Sequence, residues 1–403
     1  MQFMLNYRLE AGKIPVIFCK NNTNFTDMTV VFRTGSANED KDSYGIAHFL
    51  EHMVFKGTEK YNKKELLNLM TKYGEFNAET QYFFTQYYFN CIKQNFDKCF
   101  DALIQTAFFH TFPEEEIEPE KSVVFEEYCM YENTQDWEFV DKIMKKKFHE
   151  SMHDIIGTKE SVMAFNKEKM LRYKEKFYNE DNLVIVVTGN LDFNDLLSKI
   201  DAAVPVLKPA TQQNVKLCKL SDSSEDFVFE TDFEQSMIGM ITPWAPINDY
   251  KISSFFSKCL SHLYYDYLRD DLGLCYGTHL NLFGGPNKER YALHAMSTNE
   301  SKLELAKTSF IDLFEKIKKE GFNEEVIDIA YNKYLTQRAR ILDDSNSMNS
   351  FIVSKICETD DYKSLIPKLN LDIYKPSNEE LIKFANDYLV NVECVKMISK
   401  EEE

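Results

Sequence analysis

The segment Gly45-Ile46-Ala47-His48-Phe49-Leu50-Glu51-His52-Met53-Val54-Phe55 sets two imidazoles four residues apart, with a carboxylate between them. Residues four apart share one face of a helix, so His48 and His52 can present their rings to a single ion. Glu51, three residues from His48, borders that face. Two histidines suit zinc, and a carboxylate beside them is placed to take a proton from a water on the ion. The order H-x-x-E-H reverses the familiar H-E-x-x-H and is the inverzincin pattern. Ile46, Phe49, Leu50, Val54 and Phe55 would bury most of such a helix. Two histidines and a glutamate are costly there unless they are paired or bind metal.

A catalytic zinc takes three protein ligands and keeps one position open. The segment Glu118–Asn133 (EPEKSVVFEEYCMYEN) reads as a helix that offers the third. Glu120 and Glu127 are seven apart, two turns along one face, while Val123 and Val124 lie on another side and can pack on a core. Spacing does not choose between Glu126 and Glu127.

The elements that must position these groups follow from periodicity. Residues 14–19 and 28–33 are β-branched apolar runs separated by the turn-like NNTNFTD, which predicts a hairpin. Helices are expected over 46–55, 63–73, 95–109, 114–133 and 167–179, and strands over 82–91 and 183–188. The polar stretch 205–226, with Pro205, Pro209 and the run SDSSED, reads as a linker. Beyond it come strands at 227–231 and 236–242, a helix at 250–268, and strands at 274–283 and 289–297 joined at Gly284-Gly285-Pro286. Helices at 301–319, 323–341 and 378–388 follow, and a closing strand at 392–399 matches 183–188. The strand–helix order of the two halves agrees and suggests internal duplication. The expected organisation is therefore 1–204, a linker at 205–226, and 227–403. The fold class is α+β, with each domain a mainly antiparallel sheet covered by helices.

A chain of 403 residues exceeds one ordinary core. Hydrophobic residues at 44% and charged residues at 28% exclude a disordered or fibrous protein. No apolar run is long enough for a membrane span, and the first residues carry neither a signal-peptide nor a transit-peptide pattern. The net charge of −18 disfavours nucleic acid and anionic lipid. Nine cysteines, an odd number without a CxxC pair, read as reduced thiols of a cytoplasmic protein.

Taken together, these segments resemble the M16 metallopeptidases, the family of pitrilysin, insulin-degrading enzyme and the mitochondrial processing peptidases. GSANED followed by GIAHFLEHMVFKGT is similar to the family's zinc-helix block, GEFNAETQYFFTQYYF (74–89) to its substrate strand, and EKSVVFEEYCMYEN to its third-ligand helix. HESMHDIIGTKESV and YNEDNLVIVVTGN resemble later blocks of the same half. The resemblance implies that Glu127 is the third ligand of one Zn2+ per chain and that Glu120 is a supporting carboxylate. It also implies that Asn77, Ala78 and Thr80 lie on a strand edge that pairs with an extended peptide. In the second half, which has no H-x-x-E-H, Leu268-Arg269-Asp270-Asp271-Leu272-Gly273-Leu274-Cys275-Tyr276 resembles a block whose Arg and Tyr meet the substrate. Arg269 would bind a peptide carbonyl and Tyr276 would donate to the developing oxyanion.

The function so implied is that of a zinc metalloendopeptidase acting on short or unfolded peptides in an enclosed chamber, with Glu51 as general base and no covalent intermediate. Large family members carry four such domains in one chain. With two, the expectation is a homodimer in which Arg269 and Tyr276 of one subunit face the zinc of the other. The alternative is a catalytically weak peptide-binding or scaffold subunit of the same fold. The other histidines, His149 and His153 among them, read as structural.

Overall fold

The computed structural model describes residues 4–148, 153–209, 226–284 and 290–400. Among them are eleven strands: β1 (Leu5–Arg8), β2 (Val16–Lys20), β3 (Phe25–Phe32), β4 (Glu75–Thr80), β5 (Thr85–Ile92), β6 (Leu183–Gly189), β7 (Phe227–Thr231), β8 (Ser236–Trp244), β9 (Thr278–Gly284), β10 (Arg290–Thr298) and β11 (Glu393–Ser399). They form two sheets, ordered β1-β2-β6-β3-β5-β4 and β7-β11-β8-β10-β9. Setting aside the edge strand β1 leaves one order twice. In each sheet the first and last strands are parallel neighbours, β2 with β6 and β7 with β11, and the remaining pairs are antiparallel. The architecture is α+β, two similar, mainly antiparallel sheets with helical cover.

The expected hairpin between residues 14–19 and 28–33 does not form. β6 lies between β2 and β3, parallel to the first and antiparallel to the second. The cause is legible in β6 itself: all seven residues of LVIVVTG are buried, a run that needs a strand on each side and cover on both faces. The strand expected over 82–91 starts at Thr85 and is the second arm of a hairpin, with β4 as the first. The helix expected over 250–268 is α-helical only for Tyr250–Leu263, after which Tyr264–Asp271 winds as a wider π-helix. The strand expected from 274 begins at Thr278. Gly285 and Pro286 of the expected turn and most of the segment 205–226 lie outside the described residues.

Chain connectivity does not follow the two halves. The first compact unit comprises Met1–Thr134, Phe148–Lys219 and Arg340–Asn370, and the second Gln135–Lys147, Leu220–Ala339 and Leu371–Glu403. In the first unit, Met28, Val30 and Phe32 of β3 face one core, together with Phe49, Leu50 and Met53 of the helix Ile46–Met53. The alternate residues face the helix Ser345–Cys357. Thr29 Oγ1 donates to Asn349 Oδ1 (2.6 Å), and Thr188 Oγ1 to the Ser345 carbonyl (2.8 Å). In the second unit, Ile238 and Met240 of β8 face a core built with Phe256, Phe310 and Phe314. Its other face, Met237 and Ile241, packs with Phe139 and Ile143 of the helix Gln135–Phe148. A Cβ on Gly239 would come within 3.0 Å of the Phe139 ring, so this glycine makes room for the phenylalanine.

Candidate metal centre

The helix Ile46–Met53 is two turns long, and its apolar residues Ile46, Ala47, Phe49, Leu50 and Met53 are buried, as the flanks of the motif predict. The opposite stripe holds His48, Glu51 and His52, and the rings of His48 and His52 stand 4.6 Å apart. Packed against this helix is the helix Glu114–Glu132, which carries Glu120 and Glu127 two turns apart. Its Val124 is fully buried, whereas Val123, expected to pack beside it, is 48% exposed.

The helical crossing brings the expected ligands together. Ligand atoms of His48, His52 and Glu127 all lie within 4.8 Å of one another, the one such group of three among the described residues. His52 Nε2 is 3.3 Å from Glu127 Oε2, and His48 Nε2 is 3.8 Å from Glu127 Oε1. Ligands of a tetrahedral zinc are about 3.4 Å apart, so this donor set fits the ion. Glu127 rather than Glu126 faces the histidines. Glu120 Oε1 lies 2.8 Å from His52 Nδ1, so the imidazole donates there and turns Nε2 toward Glu127. The other oxygen of Glu120 pairs with Lys56. Lys56 was not singled out from the sequence. Its place four residues beyond His52, on the same helical face, is the signal that could have found it.

Electrostatics points the same way. Burial drives His48 down to about 4, with the charge of His52 adding to the effect and Glu127 opposing it, so this ring is neutral near pH 7. Burial also works against a charge on His52, but its hydrogen bonds to Glu120 and Glu127 outweigh that and hold it up at about 9. The hydrogen bond from His52 holds Glu127 below the usual carboxylate range. Glu120 is below it too, because His52 and Lys56 overcome the effect of burial. Positive charge is therefore favoured on His52, between Glu120 and Glu127, and disfavoured on His48. Burial pushes Glu51 up to about 7, against the opposing influence of His52 and a 3.1 Å hydrogen bond from Thr80 Oγ1. A carboxyl group poised near neutrality can both accept and return a proton.

β4 is an edge strand of its sheet and packs against the motif helix. Asn77 is exposed and its Oδ1 accepts from the Ala78 amide (2.9 Å), Ala78 is half-buried, and Thr80 is buried with its hydroxyl turned to Glu51. In the second unit, the Arg269 guanidinium lies 4.4 Å from the Tyr265 ring centre and 4.9 Å from that of Tyr276, so Arg269 and Tyr276 lie side by side. Tyr276 is 88% exposed. Of the two histidines judged structural at 149 and 153, His149 lies outside the described residues, and His153 pairs with Glu39 at 3.4 Å.

Residues 16–162 match the family described as Insulinase (Peptidase family M16), and residues 164–334 match the Peptidase M16 inactive domain. An uncharacterized zinc protease of Rickettsia felis is 27% identical over 356 residues, 82% of this chain and 84% of that protein. The uncharacterized zinc protease YmxG of Bacillus subtilis is 36% identical over 161 residues, a match spanning 39% of each. A protease from Helicobacter pylori of known crystal structure superposes with a TM-score of 0.82 at 18% identity, over 98% of this chain and 99% of that one. A putative M16-like peptidase from Alicyclobacillus acidocaldarius gives 0.77 at 18%, over 99% of each. At such identities the structural likeness speaks for the fold alone.

Proposed function

Since the chain belongs to the M16 peptidase family, we propose that it is a zinc metalloendopeptidase whose ion is held by His48, His52 and Glu127. The observation that carries this reading is the convergence of those three ligand groups from two helices, more than 70 residues apart in sequence. A zinc ion at this place supplies Lewis acidity and acidifies a coordinated water. The chain's own residues do the rest. Glu51 takes a proton on the approach of the nucleophile and returns it to the leaving amine. Glu120, braced by Lys56, fixes the tautomer and direction of His52. Thr80 keeps the Glu51 carboxylate oriented. The free edge of β4 at Asn77 and Ala78 offers main-chain groups to an extended peptide, which gives affinity with little sequence choice and suits short or unfolded substrates.

Arg269 and Tyr276 serve as substrate-carbonyl and oxyanion donors in this proposal. They lie in a unit without an H-x-x-E-H motif, and we place them opposite the zinc site of a second copy in a homodimer. Sedimentation of an active monomer would remove that part. The central test is a quenched-peptide digest with and without chelator, run on the unaltered chain and on Glu51→Gln. Zinc-dependent cleavage is expected from the first only. Full activity of Glu51→Gln would exclude Glu51 from the mechanism. Zinc binding without cleavage of any peptide would favour the scaffold alternative.

A further inference from the structure

The helix Ile46–Met53 carries both imidazoles, yet its own cap supplies nothing to hold it: the N-cap is Gly45, in the left-handed region at φ 91°, with no side-chain hydrogen bond. The missing acceptor comes from outside the helix. Glu39, just past a short turn at Ser36–Asn38 that follows β3, has a side chain with no exposed surface. Its Oε2 accepts from the Gly45 amide and its Oε1 from the Ala47 amide, both at 2.7 Å. One carboxylate thus satisfies two otherwise orphaned donors of the first turn, where the helix dipole favours negative charge.

A second segment closes on the same point. His153 Nε2 lies 3.4 Å from Glu39 Oε2, and the His153 ring stacks on Tyr44 at 3.6 Å. Ser161 Oγ donates to the Tyr44 carbonyl at 2.6 Å. The backbones touch so closely that a Cβ on Gly45 would sit 2.4 Å from the Ile156 carbonyl oxygen, and one on Gly157 would sit 2.2 Å from that of Tyr44.

We infer that Glu39, braced by His153, is a positioning residue for the metal site: its bidentate grip on the Gly45 and Ala47 amides sets the direction of the helix that aims His48 and His52 at Glu127. This rests on the reading of those three residues as zinc ligands. The next residue after Ala47 is His48, so a tilt of the first turn moves that ring directly, whereas the Glu120 contact secures only His52. A glutamine at position 39 keeps the shape but offers one acceptor and one donor to two amide donors, so one of the two bonds is lost.

The test compares the unaltered chain with Glu39→Gln by zinc titration against a chromophoric chelator and by the visible absorption spectrum after cobalt is bound in place of zinc. The expected result is folded protein by circular dichroism, at least tenfold weaker zinc binding, and a cobalt spectrum altered in intensity and band position. Zinc binding within twofold and an unchanged cobalt spectrum would overturn the proposal. Should Glu39→Gln fail to fold, His153→Gln is read by the same two measurements: a changed spectrum supports the brace, and an unchanged one overturns it. If the unaltered chain itself binds no zinc, the ligand assignment has failed, and this inference falls with it. That outcome is distinct from a zinc-binding chain indifferent to position 39.

Discussion

Asp27 makes a quantitative case for how burial and charge trade off in the first sheet. It lies on β3, buried, with one carboxylate oxygen accepting from Asn90 Nδ2 at 2.8 Å and the other buried with no hydrogen-bond partner among the described residues. Burial pushes its carboxyl group up from 3.8 to about 7, the Asn90 hydrogen bond opposes the shift, and Asp344, the N-cap of the helix Ser345–Cys357, adds to it. The folded state therefore holds a proton that the unfolded chain releases, so stability falls as pH rises from about 4 to about 7 and is level above that. At about 1.4 kcal/mol per unit the full loss has a ceiling of about 4 kcal/mol. Asp27→Asn removes the ionisation and keeps an acceptor for Asn90, but buries an amide N–H2 without a partner, at a cost of about 1–3 kcal/mol. The variant should be less stable than the unaltered chain at pH 4 and more stable at pH 8, by about 1–3 kcal/mol in each direction. Urea unfolding at the two pH values reads this directly. A stability difference that does not grow with pH would refute the reasoning.

Further expectations concern the metal site. Glu51→Gln should bind zinc as the unaltered chain does and lose about 10²–10⁴-fold in kcat, measured on a quenched peptide. Burial holds the Glu51 carboxyl up at about 7 in the metal-free site, and a bound cation beside it should lower that value, so zinc binding should release a proton from Glu51 near neutral pH; calorimetric zinc titrations of the unaltered chain in two buffers of different ionisation enthalpy, giving the same proton count as Glu51→Gln, would contradict this. Glu120→Ala frees His52 Nδ1 and leaves Lys56 without its carboxylate, so zinc affinity should fall about 10–100-fold in chelator competition. Removing free zinc held at about a thousandfold its Kd should cost about 4 kcal/mol. For a unit of this size that is roughly a 10 °C drop in Tm by calorimetry.

The chemistry of the site was easier to read in the sequence than the fold around it, for physical reasons. His48, Glu51 and His52 are related by the helical repeat, which is local, and the apolar residues between them declare which side is buried. Whether Glu126 or Glu127 completes the set depends on the rotation of the helix Glu114–Glu132 against its neighbour, a tertiary quantity that spacing leaves open and the M16 resemblance supplied. The strand β6 was recognisable from its composition, but its insertion between β2 and β3 is a non-local pairing, and proximity in sequence favoured the hairpin instead. The helix Ser345–Cys357 was missed because its contact with the first sheet is made in part by Ser345 and Asn349, polar residues that carry no amphipathic signature until Thr29 and Thr188 are seen opposite them. Glu39 was visible only as part of the GSANED block, since its partners are backbone amides.

The assignment of Gln135–Lys147 to the second unit and Arg340–Asn370 to the first bears on how the protein comes into being. A ribosome moving along the message finishes β6 long before Ser345–Cys357 exists, so the nascent first sheet waits with its Thr29 and Asn349-binding face bare until nearly nine-tenths of the chain has been made. Cutting the gene at the segment 205–226 would leave each product lacking the helix that shields its sheet. Such fragments should collect with chaperones or aggregate when made alone, and recover solubility when both are made in one cell.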